Sequence, residues 1–342
     1  MKDQLGKLYN PKYFVGPINI KDQVKKNLLK HLSLMLEIRI VEEEIANLIK
    51  IGKIKAPCHL CIGQEAISVG ILANATKNDL IFGNHRSHGH YIAVGGNIKK
   101  LFLEVLGHPE GCSKGMGGSM HLVDIKAGFI GSAPIVSGTI PLALGAALNS
   151  SLKNKKNITY VFFGDGACEE GVVHECFNLA KLYSLPIVFI IENNLFSSHL
   201  DLNFRQPSNK MSRFGESNLI KSFTVDGNDV VKISKIINSQ NEFLKNGQGP
   251  ILIECITYRW LGHVGPNQDI DVGLLRNKKS LSNWKKRDPI NRLYLSMLNK
   301  KLISENQFNF LKNKIKNKIK RISKSSTQKK FYGTRSHEKF VY

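Results

Sequence analysis

Residues 158–194 read ITYVFFGDGACEEGVVHECFNLAKLYSLPIVFIIENN, and this stretch decides the fold. Ile158 to Phe163 is a largely apolar run that stops at Gly164-Asp165-Gly166. Glu170 to Leu185 has helical spacing, with Val172, Val173, Cys176, Leu179, Ala180 and Tyr183 falling on one side. Ile187 to Glu192 is a second apolar run, and it stops at Asn193-Asn194. Strand, turn, helix and strand predict a βαβ unit whose parallel strands are joined by a right-handed crossover. Both strands then end at one sheet edge, where open α/β folds bind ligands. Asp165 and Asn194 are thereby expected to converge.

One carboxylate, one amide oxygen and a nearby backbone carbonyl make a hard, all-oxygen site. Mg²⁺ suits it, because that ion takes six oxygens and completes its shell with water and phosphates. A helix starting after Gly166 would aim unpaired N–H groups at the same spot and favour an anion there. An Asp-Gly pair after a strand is by itself only a turn. With Asn-Asn closing the next strand, the pair points to a Mg-diphosphate site.

Further motifs flank this unit. Cys58-His59-Leu60-Cys61 has C-x-x-C spacing, but no second such pair follows to complete a zinc site. Asp79 to Phe82 predicts a short strand, followed by His85, Arg86, His88 and His90. Three histidines so close could bind a metal. Arg86 is the more telling residue, because a guanidinium makes paired hydrogen bonds to phosphate oxygens. Gly111-Cys112-Ser113-Lys114-Gly115 matches the serine-hydrolase elbow in letters, yet a helix precedes it and a loop follows, against that motif's strand-to-helix context. Pro250 to Tyr258 predicts another buried strand and Arg259 to Pro266 a loop at the sheet edge, with Gly262 and Gly265 bracketing His263.

Gly-Asp-Gly, 26 residues and Asn-Asn (Gly166 to Asn193) resembles the thiamine diphosphate motif. The whole stretch resembles the α subunit of the E1 component of 2-oxo acid dehydrogenases, and the resemblance runs from about Leu32 to Pro289. It implies thiamine diphosphate and Mg²⁺ as cofactors, with Asp165, Asn194 and the Phe196 carbonyl on the metal. It implies Arg86, Gly166, Ala167 and a polar contact from His85 on the diphosphate, and backbone near Val136 on the pyrimidine. His59 and His263 are implied at the substrate end, His263 also beside the cofactor. Two departures stand out. The family generally has Tyr where this chain has His85. Pyruvate-type α subunits carry Ser and Asp residues where this chain has Val264-Gly265-Pro266-Asn267, so the family's kinase site is missing.

The activity implied is that of an oxidoreductase: oxidative decarboxylation of a pyruvate-like 2-oxo acid, with acyl transfer to a lipoyl carrier. The implied partners are a β-type E1 subunit in an α₂β₂ heterotetramer and a lipoyl acyltransferase. An acetoin dehydrogenase shares the pattern. A carboligase or lyase on another carbonyl compound, such as a modified sugar, is the alternative without a lipoyl partner.

The 342 residues carry a net charge of +22, mostly Lys dispersed among Asn and Ile. No nucleic-acid motif accompanies that charge, so no nucleic-acid partner is expected. The six cysteines lie in segments expected to be buried, which suits free thiols in a reducing compartment. Gly128 to Leu152 carries no charge and is long enough to span a bilayer, yet Pro134, Pro141 and four glycines make it a buried loop and helix rather than a span. A soluble, cytoplasmic protein without a membrane partner is expected. The fold class expected is α/β, a doubly wound, mostly parallel sheet flanked by helices with helical extensions. Residues 1–21 form an arm, 22–288 the diphosphate-binding domain and 289–342 a helical, basic extension. Asn194 to Asn218 is expected to be surface loop.

Overall fold

The computed structural model describes residues 2–268 and 276–329. Its strands are β1 (Leu80–Gly83), β2 (Phe129–Ser132), β3 (Thr159–Gly164), β4 (Ile187–Asn193), β5 (Phe196–Ser197), β6 (Leu200–Asp201), β7 (Lys221–Asp226) and β8 (Ile251–Ile256). Six of them form one sheet in the order β2-β1-β3-β4-β8-β7, parallel throughout, while β5 and β6 make a separate antiparallel ribbon. The strand order changes direction between β1 and β3, so their carboxyl ends frame a crevice.

Two-residue periodicity explains why both faces are covered. Along β3, Tyr160 and Phe162 join one apolar cluster while Val161 and Phe163 join the other. The first cluster is closed by α1 (Lys25–Lys50), α2 (Glu65–Leu72), α3 (His88–Ala93) and α4 (Ile98–Val105), and by three later helices. The second is closed by α5 (Thr139–Leu152) and α6 (Gly171–Leu182). Next in the chain come α7 (Arg213–Ser217), α8 (Val230–Lys245), α9 (Lys278–Lys285), α10 (Pro289–Asn299) and α11 (Glu305–Thr327). Of these, α8, α10 and α11 complete the first face. Gly52 ends α1 with φ +70°, its N–H donating to the Ile49 carbonyl at 2.9 Å.

The doubly wound parallel sheet agrees with expectation, and several details correct it. No α-helix starts directly after Gly166: a 3₁₀ turn, Asp165–Glu169, intervenes, and α6 begins at Gly171. The amides nearest Asp165 therefore belong to that turn. The buried face of α6 is Val173, Cys176, Phe177 and Ala180, whereas Leu179 and Tyr183 are exposed. Phe177 wins because its ring packs edge-on against Phe189 of β4, with centroids 4.8 Å apart. The segment 194–218 is no mere surface loop. It buries Leu202, Asn209, Met211 and Ser212, because the Glu254 carboxylate accepts the Met211 and Ser212 N–H groups at 3.0 and 2.9 Å.

The amino-terminal arm is tied down: Asn209 Oδ1 accepts Gln4 N–H at 2.8 Å, and Leu5 is buried. The carboxyl-terminal helices are anchored through Asp226 at the end of β7, which pairs with Arg287 and with Arg292 of α10, each at 2.7 Å. The basic extension expected over 289–342 is helical in α10 and α11, the latter to Thr327, and its part from 330 lies outside the described residues. All six cysteines are free thiols. No helix among the described residues is long and apolar enough to cross a membrane.

Candidate functional site

The carboxyl ends of β1, β3, β4 and β8 open onto one cavity of about 260 Å³. Every residue singled out for the site lines it: His59, His85, Arg86, Val136, Asp165, Gly166, Ala167, Asn194, Phe196 and His263. The sheet brings them together because parallel strands deliver their following loops to one edge.

Each side chain is held by local chemistry. After β1, Asn84 Oδ1 accepts the Arg86 N–H at 2.7 Å and shapes the turn. Arg86 donates Nη1 to the Leu60 carbonyl at 2.7 Å and Nη2 to the His263 carbonyl at 3.1 Å, so it ties the Cys58–Cys61 stretch to the loop after β8. Asn84 in turn donates to Glu192 at 3.2 Å, and His90 Nε2 faces the same carboxylate at 3.1 Å. After β3, Asp165 is buried and paired with Arg205, which also pairs with Glu169. Burial raises the Asp165 carboxyl above its ordinary value, and Arg205 pulls it back in part. After β4, Asn194 Oδ1 accepts the Phe196 N–H at 3.3 Å. Gly166 could be no other residue without movement, since a Cβ there would lie 2.4 Å from Ser197 Oγ.

His59, His85 and His263 form a ring cluster, with centroids 4.8 Å apart for His59–His85 and His59–His263 and 5.4 Å for His85–His263. Burial, then neighbouring guanidinium charge, pushes all three imidazoles down: His59 and His263 to about 3, His85 to about 2. They are neutral at pH 7. Arg259 Nη1 lies 3.0 Å from His263 Nδ1. A guanidinium only donates, so Nδ1 carries the lone pair and the ring proton sits on Nε2.

The metal grouping of His85, His88 and His90 does not form. His88 turns away to Glu42, Nδ1 to Oε1 at 2.5 Å, with Ser119 Oγ 2.9 Å from its Nε2. That Ser-His-Glu line is fully buried, with no room for a substrate, and it fixes the loop carrying Met120. Residues that the sequence reading missed are Arg205 and Ser137, while Arg259 was quoted without a role. Arg205 is close to Asp165 only through the fold. Ser137 holds φ +64° and donates to the Ala167 carbonyl at 3.1 Å. Arg259 could have been noticed as the cation closest to the end of β8.

Buried guanidiniums beside a carboxylate and an amide oxygen, at the switch point of a parallel sheet, define an α/β protein with a polar crevice where open α/β folds bind ligands. Residues 33–334 match the Dehydrogenase E1 component family. The pyruvate dehydrogenase E1 component subunit alpha of Rickettsia typhi is 33% identical over 89% of this chain and 93% of its own. The α subunit of the acetoin:2,6-dichlorophenolindophenol oxidoreductase of Bacillus subtilis is 38% identical over 67% of this chain and 69% of its own. The pyruvate dehydrogenase E1 α subunit of Porphyra purpurea is 32% identical, covering 90% and 91%. The chain belongs to the dehydrogenase E1 component family, among its α subunits, which are oxidoreductases acting on an oxo group. Membership implies dependence on thiamine diphosphate and a β-type partner subunit.

Proposed function

We propose that the cavity binds thiamine diphosphate through Mg²⁺, and that with a β-type partner the chain carries out oxidative decarboxylation of a pyruvate-like 2-oxo acid and passes the acyl group to a lipoyl carrier. The observation that carries this is the meeting of Asp165 and Asn194 with Arg86 and Arg259 around one cavity. Burial and the mutual repulsion of guanidiniums push Arg259 down to about 9, and burial pushes Arg86 down to about 10. Among the described residues no carboxylate pairs with either, and the Arg86 bonds go to carbonyl oxygens. A diphosphate would relieve that repulsion.

The donor set fits Mg²⁺. Asp165, Asn194 Oδ1 and the Phe196 carbonyl are hard oxygen donors of the kind that ion takes. When bound, thiamine diphosphate supplies the carbon nucleophile and the electron sink for decarboxylation. The chain's own part is to bind and orient. Arg86 and Arg259 would hold the diphosphate, with Gly166 and Ala167 leaving backbone open to it, and Val136 would contact the ring. His59 and His263 stand at the substrate end, where neutral imidazoles can hold or move a proton. On the same reading residues 22–288 are the diphosphate-binding domain, 1–21 an arm and 289–342 a helical, basic extension.

The family resemblance implies a glutamate from the β-type subunit on the thiamine pyrimidine, and in keeping with that no glutamate lines the cavity among the described residues. A partner surface is at hand: α5 and α6 leave Leu142, Leu179, Leu182 and Tyr183 exposed. The similarity to the Bacillus subtilis acetoin enzyme supports a second reading, in which acetoin is the substrate. The experiment is reconstitution with the β-type chain. Pyruvate-dependent acylation of a lipoyl domain supports the first reading. Dye reduction by acetoin without lipoyl acylation replaces it by the second.

A further inference from the structure

We propose that His59, His85 and His263 are ligands for a late first-row divalent cation of the Zn²⁺ class, a site separate from the oxygen donors at Asp165 and Asn194. Each of the three residues offers one ligand nitrogen, and these nitrogens lie within 4.8 Å of one another. Tetrahedral Zn²⁺ with Zn–N of about 2.0–2.1 Å wants its nitrogens about 3.3 Å apart, so rotation of the rings by roughly an ångström at the nitrogens closes the site. His59 is buried and its Nδ1 has no hydrogen-bond partner, so a buried lone pair or N–H already lacks what an ion or a new donor would supply. The three residues come from separate segments, one before α2, one after β1 and one after β8, so the fold and not local sequence makes the cluster. Three nitrogen ligands leave a fourth position facing the cavity, open to water or to an oxo oxygen.

The choice of ion follows from the surroundings. Arg86 and Arg259 stand beside the cluster and repel any cation. A hard ion such as Mg²⁺ gains too little from imidazole to overcome that, whereas Zn²⁺ and Co²⁺ bind imidazole strongly. Arg259 is a second control. It donates to His263 Nδ1 at 3.0 Å. Ligation through Nδ1 displaces that N–H. Ligation through Nε2 moves the ring proton to Nδ1, where it would face the same N–H. Either way Arg259 must let go, keeping its bond from Nη2 to the Ser198 carbonyl at 2.7 Å. Arg259 therefore holds the site weaker than three histidines would otherwise make it.

The test uses the full chain without thiamine diphosphate and in excess Mg²⁺, which fills oxygen sites, so it does not depend on the cofactor reading. Zn²⁺ is titrated by calorimetry and Co²⁺ by visible absorption, in wild type and in His85→Phe, His85→Tyr and Arg259→Met. Expected are one Zn²⁺ per chain and the intense bands of four-coordinate Co²⁺. Both His85 variants should weaken binding by more than the ~10–100-fold that loss of an outer-shell partner costs. Arg259→Met should tighten it. Circular dichroism shows which variants are folded, and two ring-for-ring replacements at position 85 guard against one failing. Zn²⁺ affinity unchanged in a folded His85 variant, or Co²⁺ showing only weak six-coordinate bands, would overturn the proposal.

Discussion

Replacing Asp165 by Asn separates its use as a metal ligand from any use as a structural ion pair. The carboxyl is buried and, in the metal-free chain, its proton affinity is raised by burial more than Arg205 lowers it. A carboxyl raised in the folded state contributes stability only below its unfolded pKa and loses it as pH rises through the folded value. At pH 7 the ionised Asp165 is therefore a net cost to the metal-free fold. An Asn amide oxygen still accepts from Arg205, and Arg205 keeps Glu169. The variant should thus stay within about 1 kcal/mol of wild type, the scale of one net hydrogen bond. Over 342 residues that is about 1.4 °C in melting temperature, from roughly 2.1 cal/mol/K per residue. Binding behaves otherwise. Loss of one partner of a buried charge pair costs about 2–5 kcal/mol, so affinity for thiamine diphosphate in Mg²⁺ should fall about 30- to 4,000-fold. Calorimetry in excess Mg²⁺ and a metal-free melt read the two quantities. Unchanged affinity refutes the metal assignment, and a large drop in melting temperature alongside lost binding returns Asp165 to a structural role.

The purified chain should show no turnover alone and gain it when the β-type subunit is added, because no glutamate lines its cavity among the described residues; a steady-state assay with and without partner checks this. His263→Ala in the assembled enzyme should bind Mg-thiamine diphosphate within a few-fold of wild type while losing about 10²–10⁴ in turnover, and wild-type turnover would leave His263 a loop residue. Asp226→Ala should cost about 3–5 kcal/mol, the usual result of stranding buried cations. That corresponds to about 4–7 °C in a thermal melt at pH 7. Burial pushes the Asp226 carboxyl up, but Arg287 and Arg292 outweigh it and hold it below 3.8. Its stabilisation is present above that value and fades as pH falls through the lowered one, so the gap between wild type and variant should narrow only in acid.

The βαβ unit was legible because strands buried on both faces of a parallel sheet are continuous apolar runs, and Gly-Asp-Gly and Asn-Asn mark where they stop. β2 was not, because Phe129-Ile130-Gly131-Ser132 is four residues long with two small ones, and its pairing with β1 comes from the fold. The short helices α2 and α3 hid for the same reason: six to eight residues show too few turns for a period. On α6 the spacing fits more than one arc, and only the ring of Phe189 selects Phe177.

The site divides along the same line. Which residues reach the cavity follows from which loops succeed which strands, so Asp165, Asn194, Arg86 and His263 could be placed from sequence. What those residues do to one another could not. Arg205 finds Asp165, and Arg259 fixes the tautomer of His263, through contacts that no spacing encodes. These unforeseen contacts set the charge state of the cavity. Burial first, and two buried guanidiniums after it, keep three imidazoles neutral, and an arriving polyanion would offset only the second of these. The proton affinity of the histidines is thereby coupled to occupancy by a diphosphate. In the anion-free chain they are bases held in reserve. Negative charge beside Arg86 and Arg259 would raise the three rings from those low values, against the burial that still holds them down.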